Sequence, residues 1–262
     1  MALFGSPQQE GAGVSKNGPE VRGFVRFFAL FKRHYGKLLE VGWLTAIFNI
    51  IFPLEGLGAV GAARLARLAV RDRHLFISDY FDCIRENWKK ALPMGIINTL
   101  LLSLALFAAY YVYNDPKDGL NFIMLAVSFA AVLLVCFIRY YTPAILITFN
   151  VSLGQLYKDA LVLSFAGFGR NMLIFLIHAL SFAVICLPML FNLYVGFGIG
   201  VCLYILLIPP LRYFTIQYHI YPVMFKNMIE PFMKENPGEG ERTLRELGLI
   251  ENEEEPLMSD RH

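Results

Sequence analysis

The sequence predicts an all-α, polytopic transmembrane bundle of three hairpins, with five or six membrane helices and amphipathic helices at the interface. Three observations predict it. Hydrophobic residues make up 56% of the 262 residues and charged residues only 17%, whereas soluble domains carry about a quarter charged residues. Four apolar runs, residues 91–113, 121–149, 172–194 and 195–221, each exceed the ~20 residues needed to cross a hydrocarbon layer. The cations cluster between the runs rather than within them, and such clusters orient helices with the basic side in the cytoplasm.

The elements follow in chain order. Residues 1–20 are polar and rich in glycine and read as a mobile leader. From residue 21 to 37 basic and aromatic side chains interleave: Arg22, Phe24, Arg26, Phe27, Phe28, Phe31, Lys32, Arg33 and Tyr35. That is the pattern of a helix lying in the membrane interface. Residues 38–52 are then apolar as far as Pro53, about 22 Å of helix. A second apolar stretch, 59–70, carries Arg64 and Arg67. Both flanks of this region are basic, so both belong in the cytoplasm. A hairpin with its tip at 53–58, fully crossing or re-entrant, satisfies that rule. The same rule leaves Lys117 as the only basic residue on an external loop. It makes residues 21–226 the transmembrane helical domain and 227–262 a cytoplasmic tail, with both termini in the cytoplasm.

Each hairpin begins on an aromatic residue followed two positions later by a cation: Tyr35 and Lys37, Trp88 and Lys90, Phe168 and Arg170. The ring prefers headgroup depth and the cation reaches lipid phosphate, so the three pairs are expected at one depth as interfacial anchors. Two returning helices share a pattern, Arg139-Tyr140-Tyr141-Thr142 and Arg212-Tyr213-Phe214-Thr215. Internal repetition and the ordinary aromatic belts of multi-span proteins both account for it.

The chemistry-bearing residues are few. Cys83, Cys136, Cys186 and Cys202 form no CxxC pair and read as buried apolar side chains. Gly56 to Gly61 spells GxGxxG, but with no βαβ setting the glycines point to close helix packing. HExxH, GxSxG and Walker patterns do not occur. The expectation is therefore a non-catalytic protein with no cofactor and no metal site, and a net charge of +2 gives no reason to expect nucleic acid. The bilayer is the expected partner. Five polar residues lie in or beside apolar runs: Asn49, Asn98, Arg139, His178 and Arg212. Arg139 and Arg212 fall about 25–27 Å below the external end of their helices. They either snorkel to the interface or bind a lipid headgroup or partner acid. The five together could instead line a polar route through the bundle. Phe76, Tyr80, Ile84 and Trp88 recur every four residues as an apolar stripe.

The stretch from Pro53 to Leu101 carries Pro53, Gly58, Ala59, Ala62 and Ala63, then Arg71, Phe76, Asp79, Phe81 and Arg85, then Asn87, Trp88, Lys89, Ala91, Leu92 and Gly95. It resembles the YesL-like family of bacterial integral membrane proteins, a domain of unknown function, and the resemblance extends over residues 11–225. Ala59 stands where the family pattern has proline, Tyr80, Cys83 and Ile84 where it has aromatics, and Trp88 where it has phenylalanine. The resemblance implies a bacterial cell membrane and association with binding-protein-dependent sugar import. The expected function is an accessory or scaffold subunit docked on an ABC importer permease. The alternative is a small-molecule transporter or channel in its own right.

Overall fold

The computed structural model describes residues 23–114 and 120–235. The leader expected at 1–20, the end of the expected tail, and Lys117 lie outside them. The described residues form helices α1 (Phe24–Ile50), α2 (Glu55–Val70), α3 (Ile77–Asn114), α4 (Leu120–Leu146), α5 (Leu153–Ala166), α6 (Phe168–Cys186), α7 (Leu193–Met224) and α8 (Glu230–Glu235), with no strand among them. Four stretches are long and apolar enough to cross a membrane: Ile77–Asn114, Phe122–Leu146, Phe168–Leu190 and Leu193–Glu235. They coincide with the four apolar runs.

Several boundaries differ from those expected. The basic-aromatic segment and the apolar segment after it form one continuous helix, α1. Likewise the segment 79–90 is the first third of α3 rather than a separate interfacial helix. The reason is local. Nothing between Ile77 and Leu92 breaks a helix, and Pro93 inside it removes only one hydrogen bond. At the far end, α7 runs on through a π turn, Phe225–Ile229, into α8, so the helical path does not stop at 226.

The packing centres on α2, which touches α1, α3, α4 and α7. Its small residues explain that position. Gly56 and Gly95 meet backbone to backbone where α2 crosses α3, and a Cβ at Gly56 would fall on the Ala91 carbonyl. Ala62, Ala63, Ala66 and Ala69 are fully buried. The GxGxxG stretch is thus the packed first turn and a half of a helix, not the tip of a turn. That turn is Phe52–Leu54, a short 3-10 segment.

Arg67 is buried and donates to Thr148 Oγ1 at 2.7 Å and to the Ala144 carbonyl at 3.0 Å. It closes the C-terminal end of α4, where helix carbonyls lack partners. One turn on, Arg71 donates to the Tyr221 hydroxyl and lies 4.9 Å over its ring. Asp72 takes a left-handed conformation, φ 57°, which ends α2 and presents its carboxylate to Arg33 and His34 of α1.

α4 and α7 both end beside the last turns of α2, so they run in the same direction. α3 packs along α4 and α6 along α7, while α4 meets α7 over a short stretch. A proximal end, near α2, is therefore densely joined. The distal end, towards Asn114 and Leu190, leaves Phe107, Tyr111, Phe122, Leu180, Leu190 and Phe197 exposed.

Within α7, Pro209 and Pro210 cannot donate to the carbonyls four residues earlier, those of Ile205 and Leu206. Helix α1 supplies the missing donors. Trp43 Nε1 donates to the Ile205 carbonyl at 3.1 Å, and the Tyr35 hydroxyl donates to the Leu206 carbonyl at 2.7 Å. Gly42 lies directly on Pro209, where any Cβ would collide.

Candidate functional site

The turn between α1 and α2 stops partway along α3 and α4. There Glu55 accepts from Thr99 of α3 and from Arg139 of α4. Glu55 falls in the hairpin tip expected at 53–58, whose depth the sequence left open. It is enclosed, with side chains of the pair 15% and 16% exposed, because the short first hairpin carries it only to the depth of Arg139. Helix rise puts Arg139 about 28 Å below the start of α4, and Arg212 about 28 Å below the start of α7.

At this depth lies a cavity of about 290 Å³ lined from five helices. Glu55 and Ala59 of α2, Asn98 of α3, Cys136, Arg139 and Tyr140 of α4, His178 of α6, and Arg212, Tyr213 and Gln217 of α7 contribute to it. Four of the five polar residues singled out in the sequence therefore share one space. Asn49 does not line it. Its Oδ1 is buried without a partner elsewhere on α1.

The bonding within the cavity is uneven. Asn98 Nδ2 donates to Thr142 Oγ1 at 3.0 Å and Asn98 Oδ1 accepts from the Tyr157 hydroxyl at 3.0 Å. The Glu55 carboxylate is taken up by Arg139 and Thr99. The Arg212 guanidinium makes no ion pair or hydrogen bond to a described residue and lies 5.2 Å over the Tyr213 ring. Gln217 is 1% exposed and neither end of its carboxamide has a partner. His178 Nε2 is also unpartnered. Gln217 was missed in the sequence. An amide inside an apolar run, the signal that marked Asn98, would have found it.

The three aromatic–cation pairs occupy different settings. Tyr35 is half-buried with its hydroxyl on the Leu206 carbonyl, rather than a ring with a wet edge, and Lys37 pairs with Glu40 at 2.9 Å. Trp88 is 51% exposed, with Lys89 Nζ 5.9 Å from its ring. Lys90 donates to Asn150 Oδ1 and the Val151 carbonyl at 2.7 and 2.8 Å, tying α3 to the end of α4. Phe168 lies against Phe137 at 5.9 Å, and Arg170 lines a shallow pocket with Lys226.

The residues of the family pattern divide in two. Gly58 packs under Phe48 of α1. Asn87 Nδ2 donates to the Cys83 carbonyl at 2.9 Å. Asp79 opens α3, and Arg85 pairs with Asp82 at the surface. Phe76 and Phe81 are exposed. The expected stripe is broken at Tyr80, which is fully buried against Gly61 with its hydroxyl 3.3 Å from Thr45 Oγ1. The bare Cα of Gly61 leaves room for that ring. All four cysteines are free, and no cluster of metal-ligating side chains occurs among the described residues. No family model, curated protein or solved structure matches the chain.

Proposed function

We propose that this is a multi-pass membrane protein that binds a small polar ligand in the α2–α3–α4–α6–α7 cavity and belongs to the transporter class. The observation that carries the reading is the convergence of Asn98, Arg139, His178, Arg212 and Gln217 on one space. Ionisable groups inside a membrane bundle are costly and face its interior where they serve a ligand or ion. In the topology that goes with this reading, three hairpins enter from the cytoplasm of a bacterial cell and both termini remain there. The first hairpin is re-entrant. Supporting it are the depth at which Glu55 meets Arg139 and the basic flanks of α1 and α2.

Cys136 lines the cavity and serves as its reporter. A variant with Cys83, Cys186 and Cys202 changed to alanine retains that thiol alone. A small membrane-impermeant thiosulfonate should label Cys136 from one side of sealed vesicles. A thiol that resists the reagent from both sides overturns the reading. For the topology, outside labelling of a cysteine placed at Ser15 would overturn the cytoplasmic N-terminus.

A second reading is the accessory subunit of a carbohydrate ABC importer, which the resemblance to the YesL-like family implies. What favours it is a group of exposed aromatics near the start of α3: Phe76, Phe81 and Trp88 at 61%, 40% and 51% exposure. Co-purification of a permease that is lost on changing all three to serine would support it. Purification without any transporter component from its native membrane would remove it.

A further inference from the structure

We infer that the cavity binds a hydroxyl-bearing phosphate ester, with Arg212 as its cation and Gln217 as its hydroxyl acceptor. This rests on the proposed ligand-binding role and names the ligand class. The need for an anion follows from three side chains. Arg139 and Arg212 contribute +2 and Glu55 −1, so the wall carries one net positive charge apart from His178. Glu55 and Arg139 satisfy each other. The remaining cation is Arg212, which has only an aromatic face beneath it. A guanidinium fork can donate two parallel hydrogen bonds to a phosphate or a carboxylate, and of the two a bilayer presents phosphate in its glycerolipid headgroups.

Gln217 supplies the second constraint. A buried carboxamide with both ends unbonded costs free energy at two atoms. One ligand can relieve both if it carries an acceptor for Nε2 and an O–H donor for Oε1. A phosphate oxygen and a neighbouring hydroxyl on the same molecule meet that demand. Inorganic phosphate has only P–OH donors, which a neighbouring guanidinium disfavours by drawing the group to its deprotonated form, and a choline headgroup has no O–H donor. His178 Nε2 offers a further polar contact.

Size sets the last constraint. A space of about 290 Å³ is at the lower end of small-molecule pockets, ~300 Å³. It admits a glycerol-phosphate-sized head but not acyl chains. Two sources share this chemistry, a soluble glycerol or sugar phosphate and the head of a phosphatidylglycerol. With the lipid, the chains would lie outside along the exposed apolar surfaces of α3–α4 and α6–α7.

The test titrates the purified full chain in neutral detergent by native mass spectrometry. The probes are phosphatidylglycerol, phosphatidic acid, phosphatidylcholine, glycerol 3-phosphate and inorganic phosphate. Expected is binding of phosphatidylglycerol, or of glycerol 3-phosphate if the source is soluble, at least tenfold tighter than of phosphatidylcholine and inorganic phosphate. Arg212→Gln should weaken it at least tenfold and Arg212→Lys less. The surface variant Arg85→Gln should leave it unchanged. Gln217→Leu should erase the preference for phosphatidylglycerol over phosphatidic acid, or for glycerol 3-phosphate over inorganic phosphate. If Arg212→Gln does not fold, Arg212→Lys and Gln217→Leu carry the test alone. Equal binding of phosphatidylglycerol and phosphatidylcholine overturns the inference, as does anion binding indifferent to Arg212 and Gln217. The Cys136 label separates this from failure of the cavity itself. A labelled thiol that no phosphate ester protects overturns the ligand class alone, whereas a thiol never labelled overturns both.

Discussion

The proximal and distal halves of the helices are built on opposite principles. Around α2, nearly every approach is fixed by a particular atom: Gly56 on Gly95, Arg67 on the end of α4, Glu55 on Arg139, Trp43 on a proline-orphaned carbonyl. Along the outer halves of α3, α4, α6 and α7 the side chains are large, apolar and exposed, and the helices touch mainly within their own pair. The specificity of this fold is therefore unevenly placed. Apolar surface gains little by leaving lipid for protein, so packing and hydrogen bonds must decide the arrangement. Those are concentrated at one end.

Substitutions at the two ends should differ in cost. The largest effect is expected from Gly95→Leu. It drives a side chain into the Gly56 backbone, which cannot move aside, and should cost about 3 kcal/mol or more. The loss of folded protein in a detergent melt reads it. Arg67→Met removes two hydrogen bonds from a charged donor and leaves the Ala144 carbonyl to the Thr148 hydroxyl alone. About 2–3 kcal/mol is expected, measured as unfolding free energy in a denaturing detergent titration. Arg139→Gln and Glu55→Gln should each destabilise by about 2 kcal/mol. The double variant should lose less than their sum, since neither then strands a charge. Strict additivity in that cycle would mean the pair is not coupled. Trp43→Phe keeps the ring and deletes one donor, for about 1 kcal/mol. At the distal end Leu104→Ala, 67% exposed, should shift stability by less than ~0.5 kcal/mol. A distal change as costly as the proximal ones would erase the contrast.

What was legible in the sequence follows the same division. The four long apolar stretches stand out by hydropathy because lipid reads composition, and composition is local. The basic flanks of the first apolar region suggested a hairpin but left its depth open. Depth depends on Glu55 meeting Arg139 and Thr99, partners 84 and 44 residues away. No periodicity encodes such a pairing. The same limit explains Asn49, which resembles Asn98 in setting yet faces elsewhere, and Tyr80, whose place in an apolar stripe hid its role beneath Gly61. The roles of Pro209 and Pro210 were not legible for a related reason. A proline pair in a helix announces two orphaned carbonyls but not which distant side chains answer them.

Those two carbonyls also set a timetable. Their donors, Tyr35 and Trp43, precede them by 171 and 162 residues. At ~5–20 residues per second of synthesis, α1 exists for about 10–30 s before its partner emerges. The first described helix must wait, with a tryptophan and a tyrosine unspent, until the last long described helix arrives. A nascent chain halted before Leu193 would leave both donors without their acceptors. An α7 made without α1 would carry two bare carbonyls into hydrocarbon, at several kcal/mol each. Joining α1 to a helix made so much later makes this contact a marker that α7 has emerged and docked.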